Sequence, residues 1–288
     1  LETKVWGQTL VFWLDEEGVL LKEEGFMGLT LVRSDKAHAP FDVDGSMGAD
    51  LYDAASIPIT QTLARAREIT YLKLKVTGLE GTGFKLTVLN EGRQKLREGI
   101  LEIFQEKANV SSALSKTETA SDLKPFLSPG INIQSDDKGL IEKAREIVGS
   151  HKDSRVMARK LMGWVYENVE KLPVVSVPDA LAVLETRVGD CNEHAVLLTA
   201  LLRAVGIPAR ECVGIVYTNH RFFYHAWTEA YFGRWISMDA TLNQMPADAT
   251  HIKLVHGGLD QQAELMALMG NLQLDILDYT YDSTDQSF

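Results

Sequence analysis

The stretch from Cys191 to Thr241 constrains this chain more than any other, because it changes hydrophobic period abruptly. Leu198, Leu201, Leu202 and Val205 fall at i, i+3, i+4 and i+7, the apolar stripe of a helix. Gly206 and Pro208 end that helix, and Gly189-Asp190 breaks the segment before it and leaves Asp190 to cap. Phe222 to Tyr231 then alternates with a period of two and is rich in aromatics, which predicts a strand. Gly233 supplies a turn, and Trp235 to Thr241 reads as the returning strand. A buried helix followed by a hairpin predicts an α+β fold with the helix packed on an antiparallel sheet.

Chemistry-bearing groups sit at the edges of these elements. Cys191 falls in the first turn of the helix, where free amides and the positive end of the macrodipole favour a thiolate. The same amides can donate to an oxyanion. A free cysteine is more often a small buried core residue, and Cys212, within the strand-like Glu211–Tyr217, reads that way. A turn centred on Phe232 puts His225 directly opposite Asp239, with Cβ atoms ~5 Å apart. A register shift of one residue would separate them onto opposite faces. The plain alternatives are a core histidine and an aspartate that opens a turn at Asp239-Ala-Thr. Taken together, a thiol, an imidazole and a carboxylate so placed point to a nucleophile, its base and the group that orients the base.

Four segments carry a family resemblance. They are Gly189-Asp190-Cys191, Leu201-Leu202-Arg203-Ala-Val-Gly206-Ile207-Pro208-Ala209-Arg210, His225-Ala226-Trp227, and Trp235-Ile-Ser-Met-Asp239. In order and spacing they resemble bacterial-type members of the transglutaminase-like superfamily, whose core is papain-like. The resemblance implies Cys191 as nucleophile, His225 as general base and acid, and Asp239 as the orienting group. It implies thiol-dependent acyl transfer or hydrolysis on peptide or carboxamide bonds, with a protein, peptide or amide substrate and no cofactor. Members without catalysis keep open a second reading, a binding or assembly module. The second oxyanion donor is not identified by the pattern; Trp164 is a candidate.

The remaining residues set the context. The expected organisation is a β-rich domain over 1–110, a linker over 111–137 and the transglutaminase-like domain over 138–288. Strands are expected at Thr3–Leu14, Val19–Lys22, Leu29–Val32, Tyr71–Val76 and Phe84–Leu89, with a further edge strand from Leu274 to Tyr281. Leu140, Ala144, Ile147 and Val148 mark one amphipathic helix, and Met157, Leu161, Trp164 and Val165 another. A net charge of −11 argues against a nucleic-acid footprint. No apolar run approaches the ~20 residues of a membrane span. Asp42, Asp44, Asp50 and Asp53 miss the EF-hand spacing. Zinc on Cys191, His194, His220 and His225 lacks a second cysteine pair or a two-histidine helical motif. Glu193 and His194 are expected to line the cleft or cap the helix. The chain opens with Leu1-Glu2 rather than Met, which reads as a trimmed start and leaves the compartment open. No pattern in the sequence assigns an oligomeric state.

Overall fold

A computed structural model describes residues 1–5, 8–15, 17–24, 30–33, 56–79, 86–107, 118–172, 178–257 and 271–281. The acidic residues Asp42, Asp44, Asp50 and Asp53 lie outside them. The chain begins with β1 (Glu2–Val5), β2 (Gln8–Leu14), β3 (Leu20–Glu24) and β4 (Thr30–Val32), which form an antiparallel sheet in that order. The single strand expected over Thr3–Leu14 is therefore two strands paired with each other, Glu2 opposite Val11.

β5 (Ser56–Pro58), β6 (Ile69–Thr77), β7 (Gln94–Arg97) and β8 (Ile100–Phe104) follow. Of the strand expected over Phe84–Leu89, the described residues Leu86 to Leu89 lie instead in a 3-10 helix, Leu86–Asn90. The helices are α1 (Ala120–Leu123), α2 (Lys138–Val148), α3 (Ser154–Asn168), α4 (Ala180–Thr186) and α5 (Cys191–Ala204). Two short strands, β9 (Glu170–Lys171) and β10 (Val188–Gly189), pair in parallel across α4. The expected amphipathic stripes bury Leu140, Ala144 and Val148 on α2, and Leu161 and Val165 on α3. Asp137 and Asp153 cap these two helices, each satisfying an amide that the first turn leaves without an intrahelical partner.

The central sheet contains β11 (Ala209–Thr218), β12 (Arg221–Tyr231), β13 (Trp235–Met238) and β14 (Ile252–His256) in the order β13-β12-β11-β14, with β5 joined to β12. The last described strand, β15 (Gln273–Tyr281), is the edge of a second antiparallel sheet ordered β15-β6-β8-β7. Leu274 there pairs with Val76, about two hundred residues earlier. A cut at residues 111–137 does not separate the cores. One buried cluster joins Ile57, Leu72, Leu74 and Leu101 to Val213, Ile215, Phe222 and Leu274.

A second cluster gathers α2, α3, α4 and the buried side of α5 from Val196 to Leu202. Ala195, near the start of α5, belongs to the first cluster. The helix is thus wedged between two cores, and its N-terminal turn has little freedom to move. Burial of such large aliphatic side chains stabilises by about 1.5–3 kcal/mol each.

Gly214 shows how tightly the central sheet is built. A Cβ there would lie 1.9 Å from the carbonyl oxygen of Ile252 on the neighbouring strand. Gly163, within α3, has open space around it. Gly214→Ala is expected to lower the free energy of unfolding by about 1–3 kcal/mol, the range for overpacking. Gly163→Ala is expected to raise it by about 0.5–1 kcal/mol, because glycine is a poor helix former. Urea unfolding of both variants checks the contrast.

Candidate active site

α5 starts at Cys191 because the residues before it form a reciprocal cap. The Asp190 carboxylate accepts from the Asn192 and Glu193 amides, and Glu193 Oε2 accepts from the Asp190 amide at 3.0 Å. Gly189 makes this closure possible, since a Cβ there would lie 2.2 Å from Glu193 Cβ. Two first-turn amides are therefore occupied by Asp190, and the cap leaves the Cys191 amide untouched. The Glu193 carboxyl is pushed up to about 7, first by burial and then by its hydrogen bond and charge interaction with Asp190. His194 is fully buried, with Nδ1 2.6 Å from the Asp190 carbonyl oxygen, and burial lowers its pKa. Glu193 thus caps the helix, as expected, while His194 is tucked beneath it.

The hairpin β12–β13 carries the imidazole. Tyr231 pairs with Trp235 and Thr228 with Met238, so the turn is centred on Gly233, whose φ is +83°, and not on Phe232. His225 and Asp239 are consequently diagonal neighbours rather than directly opposed. The displacement is an even number of residues, so both stay on one face of the pleat, and the contact survives: His225 Nε2 lies 2.7 Å from Asp239 Oδ2.

Asp239 has no exposed surface. Its Oδ1 accepts from the Thr241 and Leu242 amides at 2.7 and 3.0 Å, which makes it the turn-opening aspartate as well. Its Oδ2 takes two imidazoles, His225 at 2.7 Å and His251 at 2.9 Å. His251 reaches onward to Asp248, whose Oδ2 lies 3.5 Å from Nδ1, and Asp248 pairs with Arg67 at 3.0 Å. Burial by itself would raise the Asp239 carboxyl. The charge and hydrogen bond of His225, with those of His251, outweigh it and hold Asp239 well below the usual carboxylate range.

Burial also pulls the His225 pKa down, but the Asp239 charge and hydrogen bond, with a further hydrogen bond and charge interaction from Cys191, push it up to about 9. With Nε2 committed to Asp239, Nδ1 is the nitrogen left for the thiol. Tyr224 stands at the same corner, its hydroxyl 3.2 Å from Asn192 Oδ1, and its pKa is raised by burial and then by Cys191 and Asp190. Cys212, in contrast, is fully buried, and burial pushes its thiol well above the ordinary value. Trp164 packs at the margin of the second core with the Arg187 guanidinium 4.3 Å from its ring centre.

The four residues considered for zinc do not assemble. His194 is turned to its own helix, and His220 lies on an exposed turn with Nδ1 3.1 Å from Thr62 Oγ1. Among the described residues, the one His/Cys/Asp/Glu group with ion-like spacing is His225, Asp239 and His251. There both histidines direct Nε2 at the same carboxylate oxygen, the arrangement of shared protons.

Residues 141–240 match the model of the transglutaminase-like superfamily. This segment is a transglutaminase-like core. It contains α5, the β12–β13 hairpin, Cys191, His225 and Asp239, whereas His251 and Asp248 lie beyond it. Among solved structures, the chain is similar to a candidate cysteine protease from Cytophaga hutchinsonii, at 20% identity over 76% of this chain and 89% of that one, with a TM-score of 0.45. It is similar to the ethylmercury-bound periplasmic domain of TgpA from Pseudomonas aeruginosa, at 15% identity over 65% and 89%, with a TM-score of 0.42. A candidate protease from Parabacteroides distasonis gives 13% identity over 68% and 44%, with a TM-score of 0.31. A search of curated proteins finds no match. Among the described residues, no helix is long and apolar enough to cross a membrane.

The raised His225 value sets the sign of a stability dependence. A histidine raised from 6.5 to about 9 on folding contributes stability that is complete below pH 6.5 and is lost as pH rises through about 9. His225→Ala is therefore expected to flatten the alkaline decline in stability, measured as urea midpoints at pH 6, 7.5 and 9.

Proposed function

We propose that this protein is a cysteine hydrolase or acyltransferase acting on peptide or carboxamide bonds, with Cys191 as nucleophile, His225 as general base and acid, and Asp239 as the orienting carboxylate. The observation that carries the reading is the buried His225–Asp239 hydrogen bond of 2.7 Å, made by the nitrogen that leaves Nδ1 for the thiol at the start of α5. His225 holds the proton that Cys191 gives up, and Asp239, acceptor-only and without exposed surface, keeps the ring in one orientation.

In the reaction, Cys191 Sγ bonds to the substrate carbonyl carbon. The Cys191 amide, which the cap does not use, donates to the developing oxyanion. His225 passes its proton to the departing nitrogen as the C–N bond breaks, leaving a thioester on Cys191. Water, deprotonated by His225, then attacks the thioester and restores the thiol. An amine in place of water gives transfer. Hydrolysis is the preferred outcome because water needs no second specific site. Protein and peptide substrates fit the superfamily to which the core belongs.

Site-resolved alkylation with iodoacetamide, read by peptide mass spectrometry, tests the thiol–imidazole pair. Cys191 is expected to react at least tenfold faster than Cys212 at pH 7 and to lose most of that advantage in His225→Ala. Equal rates at the two cysteines, or a Cys191 rate indifferent to His225, would remove the chemical basis of the reading. The same core would then be treated as a binding or assembly module.

A further inference from the structure

His251 lies outside the segment matched to the superfamily model, on the loop that leads into β14, yet it meets the same Asp239 oxygen as His225 does. Its side chain has no exposed surface. Its Nε2 is 2.9 Å from Asp239 Oδ2, the same oxygen that receives His225, and its Nδ1 faces Asp248 Oδ2 at 3.5 Å. Asp248 is fixed from its other side. Its Oδ1 accepts from the Thr250 amide and hydroxyl, and its Oδ2 meets Arg67 at 3.0 Å. The His251 ring is edge-on to Trp227 at 5.3 Å and to His225 at 5.7 Å. Its backbone carbonyl accepts from Arg93 at 2.6 Å, and the same guanidinium also holds the carbonyls of Ala247 and Asp248. The charged and titratable groups around the ring are thus Asp239 beyond β13, His225 on β12, Asp248 on its own loop, Arg67 from the 3-10 turn at 66–68, and Arg93 ahead of β7.

Both carboxylates flanking the ring are acceptors. A neutral imidazole can donate from one nitrogen, and would turn a lone pair toward the other carboxylate. A ring protonated at both nitrogens donates a hydrogen bond to Asp239 and faces Asp248 as an ion pair at 3.5 Å, without a hydrogen bond there, and gives an alternating row of charge from Arg67 through Asp248, His251 and Asp239 to His225. We propose that His251 is a positioning residue of this site, doubly protonated between Asp239 and Asp248, which holds the Asp239 carboxylate from the side opposite His225 and limits how tightly His225 keeps its proton. The directions of titration agree. Burial lowers His251, but Asp248 and Asp239 outweigh it and raise it above the ordinary value.

The inference rests on the reading of His225 as the acid and base of the site. Its chemical sense is a compromise. Asp239 alone would bind the His225 proton tightly, which stabilises an imidazolium but slows its delivery to a leaving group. A second cation on the same carboxylate oxygen weakens that hold while keeping Asp239 ionised and fixed. Arg67 and Arg93, which anchor the loop, come from the first hundred residues, so that part of the chain contributes to the site without touching a substrate.

The experiment is histidine titration by 15N NMR on the full chain, in wild type and His251→Gln, a substitution that keeps a donor for Asp239 and removes the charge. In wild type, both His251 nitrogens are expected to be protonated at pH 7. In His251→Gln, the His225 midpoint is expected to rise by about one pH unit, the effect of removing a like charge at such a distance. An unchanged or lowered His225 midpoint in the folded variant, or a single neutral His251 tautomer in wild type at pH 7, would overturn the proposal. If the variant does not fold, the wild-type spectrum decides. The readout does not depend on Cys191, so an inert thiol in the alkylation experiment refutes the proposed activity without deciding the role of His251.

Discussion

The site depends on one buried carboxylate. Asp239 accepts four hydrogen bonds, two from backbone amides at Oδ1 and two from imidazoles at Oδ2. The amide pair fixes the chain as it leaves β13, and the imidazole pair fixes two side chains, one arriving from β12 and one from the loop before β14. An ionised carboxylate without exposed surface is tolerated only when its acceptor sites are filled by such donors. The surrounding fold can be understood as the scaffold that brings them there. The hairpin supplies His225, the central pairing of β11 with β14 supplies the loop bearing His251, and the two cores flanking α5 hold Cys191 at the corner where the first imidazole ends.

Charge is distributed in the central sheet by the same rule. Glu229, next but one to Trp227 on β12, receives Lys253 at 2.8 Å and Arg210 at 2.7 Å, and all three are buried or nearly so. Arg93 meets Glu106 at 3.1 Å while binding three carbonyls of the loop before β14. A buried ion pair is weak evidence of stability in itself, since desolvation offsets most of the attraction. Its consequence here is geometric: removing one partner would strand a charge beside the sheet that positions the site.

Much of the core was legible because its signals are local. The stripe from Leu198 to Val205, the Asp190 cap and the aromatic alternation of β12 each follow from neighbouring residues, and the helix and strand lie where those patterns put them. The hairpin register is less local: Gly233 rather than Phe232 is the centre of the turn, but the resulting shift of two residues keeps both groups on one face and the His225–Asp239 contact does not depend on it. Non-local features were not legible. No pattern in residues 245–251 marks His251, whose place is set by strand pairing and by Arg93 from a distant segment. Nor does any local signal say that β15 closes a sheet with β6, which is why a boundary between N- and C-terminal parts was expected where a shared core exists.

If Cys191 attacks a carbonyl with the help of His225, an acyl group on its sulfur can be trapped. The full chain would be mixed with a peptidyl p-nitrophenyl ester, quenched in acid and digested for mass spectrometry. One acyl group is expected on the peptide containing Cys191, strongly reduced in His225→Ala and absent in Cys191→Ala. Acylation spread over other nucleophiles, or an adduct on Cys191 that forms equally fast without His225, would contradict it.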